Sequence, residues 1–202
     1  MAALLIATTN PGKLAELRSL LADARFELTD LGRLGLDLGV LEDGPDYDAI
    51  AAEKARLYAA ATGLWTVADD TGLEVDALDG APGVHTARLA PDDRSRRARL
   101  LELLANRRRP WTARFRCSVA LVSPAGETAI GRGACEGEVV PQERGVLGFG
   151  YDPIFLVAGT DKTLAELPLR RKNELSHRGR AVRDLLGRLE HSPLGDAPFP
   201  PK

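Results

Sequence analysis

The chain has 202 residues, of which 44% are apolar and 28% are charged, and its net charge is −2. This composition is typical of a globular protein with a sizeable core, which buries roughly 70% of the surface that the unfolded chain exposes. The small net charge excludes the global basic field that favours nucleic-acid binding. The sequence contains no long apolar run and no signal-peptide pattern, so we expect a cytoplasmic protein with no membrane partner.

The first predicted elements are a buried strand over residues 4–7, a tight turn, and a helix over residues 11–21. Leucines at positions 14, 17, 20 and 21 recur at the spacing of one helix face. Asn10 is a favourable N-cap, and Pro11 suits the first helical position. Lys13 opposes the helix dipole, but a phosphate bound at the helix N-terminus would offset this cost. The alternative is an ordinary capped helix with a solvent-facing lysine.

A strand predicted over residues 65–68 leads directly into two adjacent carboxylates, Asp69 and Asp70, with Glu74 and Asp76 close behind. We predict that the strand ends at these acids. Like charges at this spacing repel each other, and a Mg²⁺ ion with oxygen ligands would offset the repulsion. The alternative is a solvated acidic turn, because Asp, Thr and Gly also form turns.

The other predicted elements alternate between helix and strand in the first half of the chain and include hairpins in the middle. Strands are predicted over residues 26–29, 114–122 and 128–140, and helices over residues 47–61, 92–104, 163–167 and 176–189. This order predicts a mixed α/β fold with a long twisted sheet flanked by helices. We interpret the arginine runs at 94–99 and 107–109 as a solvated face. Cys117 and Cys135 lie in strand-like segments, where we expect reduced core thiols.

Two further segments carry residues suited to a nucleotide. Glycines at positions 145, 148 and 150 allow the backbone to approach a ligand closely. Between and beside them, Phe149 and Tyr151 have rings that could stack on a planar group, and Asp152 adds a carboxylate. Further on, Ser176 can cap a helix whose first turn holds His177 and Arg178. Basic residues at two helix N-termini, together with the acidic segment, suggest a polyphosphate bridged by a metal.

Four separated motifs, at residues 7–13, 68–73, 148–155 and 176–179, together resemble the inosine triphosphate pyrophosphatase family. The resemblance extends from Leu4 to Leu189, and the four motifs occur in the family's order. Small departures exist, because Thr9 replaces the usual Gly or Ser, and residues 48–51 lack an asparagine that many relatives carry. The resemblance implies an α/β fold of two lobes with a central cleft, assembled as a homodimer.

The resemblance also implies the reaction, which is hydrolysis of ITP, dITP or XTP to the monophosphate and pyrophosphate with one or more Mg²⁺ ions per subunit. Asp70 matches the family's catalytic base and metal ligand, and Glu42 matches its other metal carboxylate, although Glu42 could also be an ordinary loop acid. The matching substrate-binding residues are Thr8, Thr9, Asn10, Pro11, Gly12, Lys13, Thr71, Phe149, Gly150, Tyr151, Asp152, Lys172, His177 and Arg178. Of these, Lys13, Lys172 and Arg178 would hold the triphosphate. Lys54, Asp69 and Arg88 are weaker candidates, and Lys54 could instead be a solvated helix lysine.

A base preference follows from the chemistry of the purine 6-position. A site that donates hydrogen bonds to a 6-oxo group rejects adenine, because the adenine amine would leave buried donors unpaired. The candidate donors are backbone N–H groups of residues 148–152, His177 and Arg178.

Two rival functions remain: a Maf-like pyrophosphatase with another base preference, whose N-terminal turn this chain does not match, and a non-catalytic nucleotide- or nucleic-acid-binding module. We expect one domain over residues 1–191 and a disordered Pro-rich tail over residues 192–202.

Overall fold

The structure is a computed structural model that describes residues 3–23, 26–40 and 43–189. Its strands are β1 (Ala3–Ile6), β2 (Glu27–Asp30), β3 (Trp65–Val75), β4 (Pro82–Gly83), β5 (Trp111–Val122), β6 (Thr128–Val139) and β7 (Phe155–Val157). Its helices are α1 (Pro11–Leu20), α2 (Leu31–Leu34), α3 (Tyr47–Thr62), α4 (Asp93–Leu104), α5 (Leu169–Leu175) and α6 (His177–Leu189). No described helix offers an apolar stretch of the length that crossing a membrane demands.

The strands form a mixed sheet with the order β2-β1-β3-β5-β6-β7, and β4 pairs with β3. Strand β1 is parallel to both of its neighbours, with Leu4 opposite Leu28 on one side and Trp65 on the other. The β3–β4 and β6–β7 pairs are antiparallel. The predicted mixed sheet flanked by helices is therefore confirmed.

Tertiary contacts divide the chain into two compact units. Unit 1 comprises Met1–Asp70, Cys117–Gly133 and Arg178–Lys202. In this unit, Leu4 and Ile6 pack with side chains of α1 and α6, whereas Leu5 and Ala7 pack with side chains of α3. Because successive strand residues point to opposite faces, helices cover both faces of β1. The strand is consequently a continuous apolar run rather than an alternating one.

Unit 2 comprises Thr71–Arg116 and Ala134–His177. Its core joins apolar residues of β3 to Leu100 and Leu104 of α4, and it includes the Phe115 and Phe155 rings with centroids 4.7 Å apart. Cys135 is buried in this core, and Cys117 is buried in the core of unit 1, as expected of core thiols.

Local capping signals place the ends of α1, α3 and α4 within one residue of the predicted ends. The side chains of Asn10, Asp46 and Asp92 each accept a hydrogen bond from a backbone N–H in the first turn of their helix. Helix α3 ends at Gly63, whose φ of 68° is in the left-handed region that favours glycine.

The predicted elements differ from the observed ones at several points. Strand β3 continues from Trp65 to Val75, so Asp69 and Asp70 lie within the strand and not at its end. The continuation is possible because cationic side chains neutralise Asp69 inside the protein, so this carboxylate does not need solvent. Helices α2 and α5 were not predicted, because α2 has only four residues and the seven residues of α5 follow Pro168 and are largely polar. The helix predicted over residues 163–167 is a 3₁₀ turn, Leu164–Glu166. The Pro-rich tail and Glu42 lie outside the described residues.

Candidate active site

The loop between β1 and α1 is shaped by its own side chains. Asn10 Oδ1 accepts a hydrogen bond of 3.0 Å from the backbone N–H of Lys13, and Thr8 Oγ1 accepts one of 3.2 Å from that of Asn10. Thr8 is buried, Thr9, Asn10 and Pro11 are exposed, and Gly12 is half-buried. The loop thus presents an accessible helix N-terminus, the local structure that binds phosphate in many proteins.

The Lys13 side chain, in the first turn of α1, reaches a carboxylate of β3. Its Nζ lies 3.2 Å from Oδ2 of Asp69, and the Lys13 side chain is 15% exposed. Asp69 and Asp70 are both buried, and one oxygen of each carboxylate is fully shielded from solvent. The structure therefore excludes a solvated acidic turn, and it places Lys13 beside the acidic pair.

Arg178, at the start of α6, completes a buried charged cluster in unit 1. Its Nε and Nη2 atoms donate hydrogen bonds of 3.1 and 2.9 Å to Oδ2 of Asp69, and its Nη1 donates to Glu16. The Arg178 side chain is only 1% exposed. We predicted that Arg178 contacts phosphate. The contacts observed in the structure are with the carboxylates of Asp69 and Glu16, which Arg178 holds in place.

Glu16 was missed in the sequence. The available signal was its position three residues after Lys13 on α1, which puts both side chains on the same side of the helix. An acidic residue on the same helix face as Lys13 is a candidate member of the charge cluster that Lys13 joins. Glu16 is 2% exposed, as expected for such a member.

The charges in this cluster keep Asp69 ionised. Burial by itself would raise the pKa of Asp69, but the positive charges of Lys13, Arg178 and Lys54 outweigh it and hold the pKa well below its ordinary value. Burial would likewise lower the pKa of Arg178, and the carboxylates of Asp69 and Glu16 hold it well above its ordinary value. Lys54 is buried on α3, so the solvated-lysine interpretation is wrong for it.

The metal-binding prediction concerns Asp70 and Glu42, and only Asp70 is within the described residues. Among those residues, no three His, Cys, Asp or Glu side chains are grouped as metal ligands. Mg²⁺ nevertheless needs only one or two protein carboxylates, since it keeps waters and binds substrate phosphates. The buried Asp70 carboxylate, 4% exposed, is an oxygen donor of the type that Mg²⁺ prefers.

In unit 2, the glycine-rich loop and α5 bring three predicted residues together. Lys172 Nζ forms a buried ion pair with Oδ2 of Asp152, and the backbone N–H of Phe149 donates 2.9 Å to the same oxygen. The Lys172 ammonium also lies 4.8 Å from the centroid of the Phe149 ring. The Phe149 backbone is therefore bound to Asp152, and the half-buried Phe149 ring lies beside the Lys172 ammonium.

Two aromatic side chains of unit 2 lie deeper than predicted. The Tyr151 ring belongs to the apolar core, its hydroxyl donates 3.2 Å to the Thr86 carbonyl, and burial raises its pKa to about 12. Its ring face is thus in the core and does not support the stacking role that was predicted for it. The buried His177 ring stacks on Phe115, with centroids 4.6 Å apart and planes 17° from parallel. Arg88 is exposed and is the last residue of a short 3₁₀ turn, Thr86–Arg88.

A mixed sheet covered by helices, with buried charges on one strand beside a helix N-terminus, is the architecture of an α/β enzyme that binds an anionic substrate. The model of the Ham1 family matches residues 4–188 of this chain. The chain belongs to the Ham1 family, and the predicted resemblance is confirmed.

Relatives over most of the chain carry the same functional name. A dITP/XTP pyrophosphatase of Symbiobacterium thermophilum is 46% identical over 194 residues, which cover 92% of this chain and 94% of the relative. One of Desulforamulus reducens is 42% identical over 193 residues, covering 92% and 96% of the two chains.

Solved structures agree with this assignment of the fold. A HAM1 protein of Coxiella burnetii superposes with a TM-score of 0.83 at 37% identity, covering 95% of this chain and 100% of that one. A structure from Mycobacterium abscessus, described as a nucleoside-triphosphatase and dITP/XTP pyrophosphatase, has a TM-score of 0.71 at 41% identity and covers 91% and 98%.

Proposed function

We propose that this chain hydrolyses the non-standard purine nucleotides ITP, dITP and XTP to the nucleoside monophosphate and pyrophosphate. The observation that carries the proposal is the buried Lys13–Asp69–Arg178 cluster beside Asp70 and a phosphate-binding type of helix N-terminus. The names of the relatives support the same reaction. Its role would be to cleanse the nucleotide pool, so that these purines do not enter DNA and RNA.

In unit 1 we assign the phosphate chemistry. Lys13 and the N-terminus of α1 bind and orient the triphosphate, which supplies the in-line geometry that the reaction needs. Asp70 accepts a proton from the attacking water, whose oxygen bonds to phosphorus as the bond between the α and β phosphates breaks and pyrophosphate leaves. The ionised Asp69, fixed by Arg178, holds Lys13 in place, and Lys54 adds positive charge to the same region.

Asp70 and Glu42 would hold Mg²⁺, which supplies charge neutralisation for the phosphates and Lewis acidity toward a water. We also propose that the protein is a homodimer, as the family resemblance implies, and that it is cytoplasmic.

In unit 2 we assign the recognition of the base. The Phe149 ring stacks on the purine, and Lys172 keeps the ring and Asp152 in one arrangement. Backbone N–H groups of the glycine-rich loop and His177 donate hydrogen bonds toward the 6-oxo group. Adenine, which has an amine at this position, leaves those donors unpaired and is rejected.

A pyrophosphate-release assay over a panel of nucleoside triphosphates, with Mg²⁺ and with a chelator, tests the proposal. We expect release from ITP, dITP and XTP that requires Mg²⁺, and a kcat/KM for ATP that is lower by about 100-fold or more. Equal turnover of ATP and ITP would contradict the proposed pocket. A preference for other bases would favour the Maf-like alternative, and binding without release would favour the binding-module alternative.

The contact between Gly148 and Asp152 gives a second prediction. Gly148 has a φ of +76°, and a Cβ there would lie 2.1 Å from Oδ2 of Asp152 and 3.2 Å from Nζ of Lys172. Gly148→Ala should therefore displace the ion pair beside Phe149 and lower kcat/KM for ITP by roughly tenfold or more, because small displacements of substrate-positioning groups cost rate.

Gly126→Ala is the matched control for this substitution. Gly126 has a similar φ of +89°, so alanine is equally strained there, but nothing lies within 4 Å of its Cβ position. We expect Gly126→Ala to keep kcat/KM within about twofold. If both variants lose the same activity, backbone strain and not the Asp152 contact is responsible.

A further inference from the structure

The centre of the glycine-rich loop is held by two side chains of α4. The backbone N–H of Gly150 donates 2.7 Å to Oδ2 of Asp93, and Arg97 Nη1 donates 2.9 Å to the carbonyl of Gly150. Asp93 and Arg97 are four residues apart on a helix, so both side chains project from the same face. Together they bind the peptide group on each side of Gly150, and we name this pair the α4 clamp.

Each member of the α4 clamp is anchored by a second charged contact. Arg97 donates from Nε and Nη2 to the two carboxylate oxygens of Glu143, at 2.8 and 3.1 Å. This pairing holds the pKa of Glu143 below its ordinary value, and the Arg97 side chain is only 13% exposed. Asp93 accepts 2.9 Å from Arg96 through its other oxygen. A bidentate arginine pair fixes geometry as well as charge, so the clamp itself is rigid.

The segment that the clamp holds gains conformational freedom from its glycines. Gly148 and Gly150 both have positive φ values, and glycine loses more conformational freedom on ordering than any other residue. The peptide between Phe149 and Gly150 carries the N–H that Asp93 accepts. A contact that fixes this peptide plane also restricts where the Phe149 ring points. Arg97 was predicted to belong to a solvated arginine face, and that interpretation is wrong for this residue.

We propose that Asp93 and Arg97 are positioning residues that determine base selectivity, because they fix the loop that carries Phe149. The inference rests on the proposed function for the purine pocket, but the clamp acts in the protein without nucleotide. Neither side chain is assigned a contact with the substrate. Their removal should therefore weaken binding and discrimination of the base more than it slows the chemical step.

The test combines kinetics with hydrogen–deuterium exchange on Asp93→Ala and Arg97→Ala. Loss of a hydrogen bond to a charged group should raise KM for ITP roughly tenfold and lower the ITP-to-ATP ratio of kcat/KM by a similar factor, while kcat changes by less than about threefold. In the nucleotide-free protein, amides of residues 145–152 should exchange faster in both variants. The double variant should show less than the product of the two single effects, since both act through Gly150.

Two variants control for the chemistry of these changes. Arg99→Ala removes an exposed arginine of the same helix that pairs with Glu102 one turn away, and we expect wild-type kinetics and exchange. Asp93→Asn keeps an oxygen that can accept from Gly150 and should restore most of the KM and the selectivity. A merely structural role would destabilise the whole unit and would not be rescued selectively by asparagine.

The outcomes separate the clamp from the proposed function. If hydrogen–deuterium exchange over residues 145–152 is unchanged in both alanine variants, the clamp does not hold the loop, whichever substrate the enzyme hydrolyses. Faster exchange with unchanged KM and unchanged selectivity overturns its role in choosing the base. A wild-type protein that is inactive on every purine triphosphate refutes the proposed function, and the exchange measurement still decides whether the clamp holds the loop.

Discussion

Replacing Asp70 by asparagine should lower kcat for ITP by about 10²–10⁴-fold, which is the usual contribution of a general acid or base. Asparagine is nearly isosteric with aspartate, so the packing around β3 should be preserved. It can neither accept the proton of the attacking water nor offer a charged oxygen to Mg²⁺. KM should change much less than kcat, because Lys13 and the N-terminus of α1 remain to bind the phosphates.

The matched control for Asp70→Asn is Asp161→Asn, the same change at an exposed residue between β7 and the following 3₁₀ turn. We expect wild-type kcat from the control. Pyrophosphate release at saturating ITP measures both variants, and their thermal unfolding shows whether the fold is intact. Near-normal turnover by a folded Asp70→Asn protein would exclude Asp70 as the base.

Arg178→Ala should have the largest effect on stability, lowering the free energy of unfolding by about 3–5 kcal/mol. The substitution removes a cationic partner that Asp69 and Glu16 share, and both carboxylates would remain buried. Removing one side of a buried ion pair is costly because the remaining charge has lost its compensation without regaining water. Urea denaturation at pH 7 measures the change.

The same variant should alter the acid sensitivity of the fold. In the wild type the pKa of Asp69 lies below its ordinary value of 3.8, so its ionisation stabilises the folded state above that value. The contribution is lost as pH falls from about 3.8 through the lower folded pKa. Without Arg178 the folded pKa of Asp69 rises, while Lys13 and Lys54 still lower it, so the stability that is lost as pH falls below about 3.8 should be smaller in the variant than in the wild type.

Arg188→Ala provides the control on the same helix. Arg188 is 54% exposed and pairs with Asp184 one turn away, and exposed pairs contribute about 0–1 kcal/mol. If Arg178→Ala costs no more than Arg188→Ala, the buried cluster does not stabilise unit 1, and the Arg178 contacts then have no energetic consequence.

Much of the candidate site could be predicted because its signals are local. Asn10, Pro11 and Lys13 define a capped helix N-terminus within four residues, and the glycines around Phe149 mark a close-approach loop. The adjacent carboxylates at positions 69 and 70 repel each other, so the sequence indicates that a positive charge neutralises them. These inferences depend on neighbours in the chain, and the structure agrees with the cap and with the loop.

The partners that neutralise the charges could not be predicted in the same way. Arg178 contacts Asp69 and Glu16, which precede it by 109 and 162 residues, and no local pattern joins such positions. For the same reason the sequence indicated a strand end at Asp69 and a solvated face at Arg97. Each of these interpretations assumed water where the fold supplies another side chain.

By itself, the sequence determined the starts and stops of the longer helices to within about a residue, the mixed α/β order and the motifs that identify the Ham1 family. These are properties of short segments, where backbone geometry and capping depend on adjacent residues. Only the tertiary structure decided which charges are buried, how far β3 extends and what holds the glycine-rich loop. Burial and ion pairing depend on residues that are distant in the chain, and their energies exist only once the fold has removed water from between them.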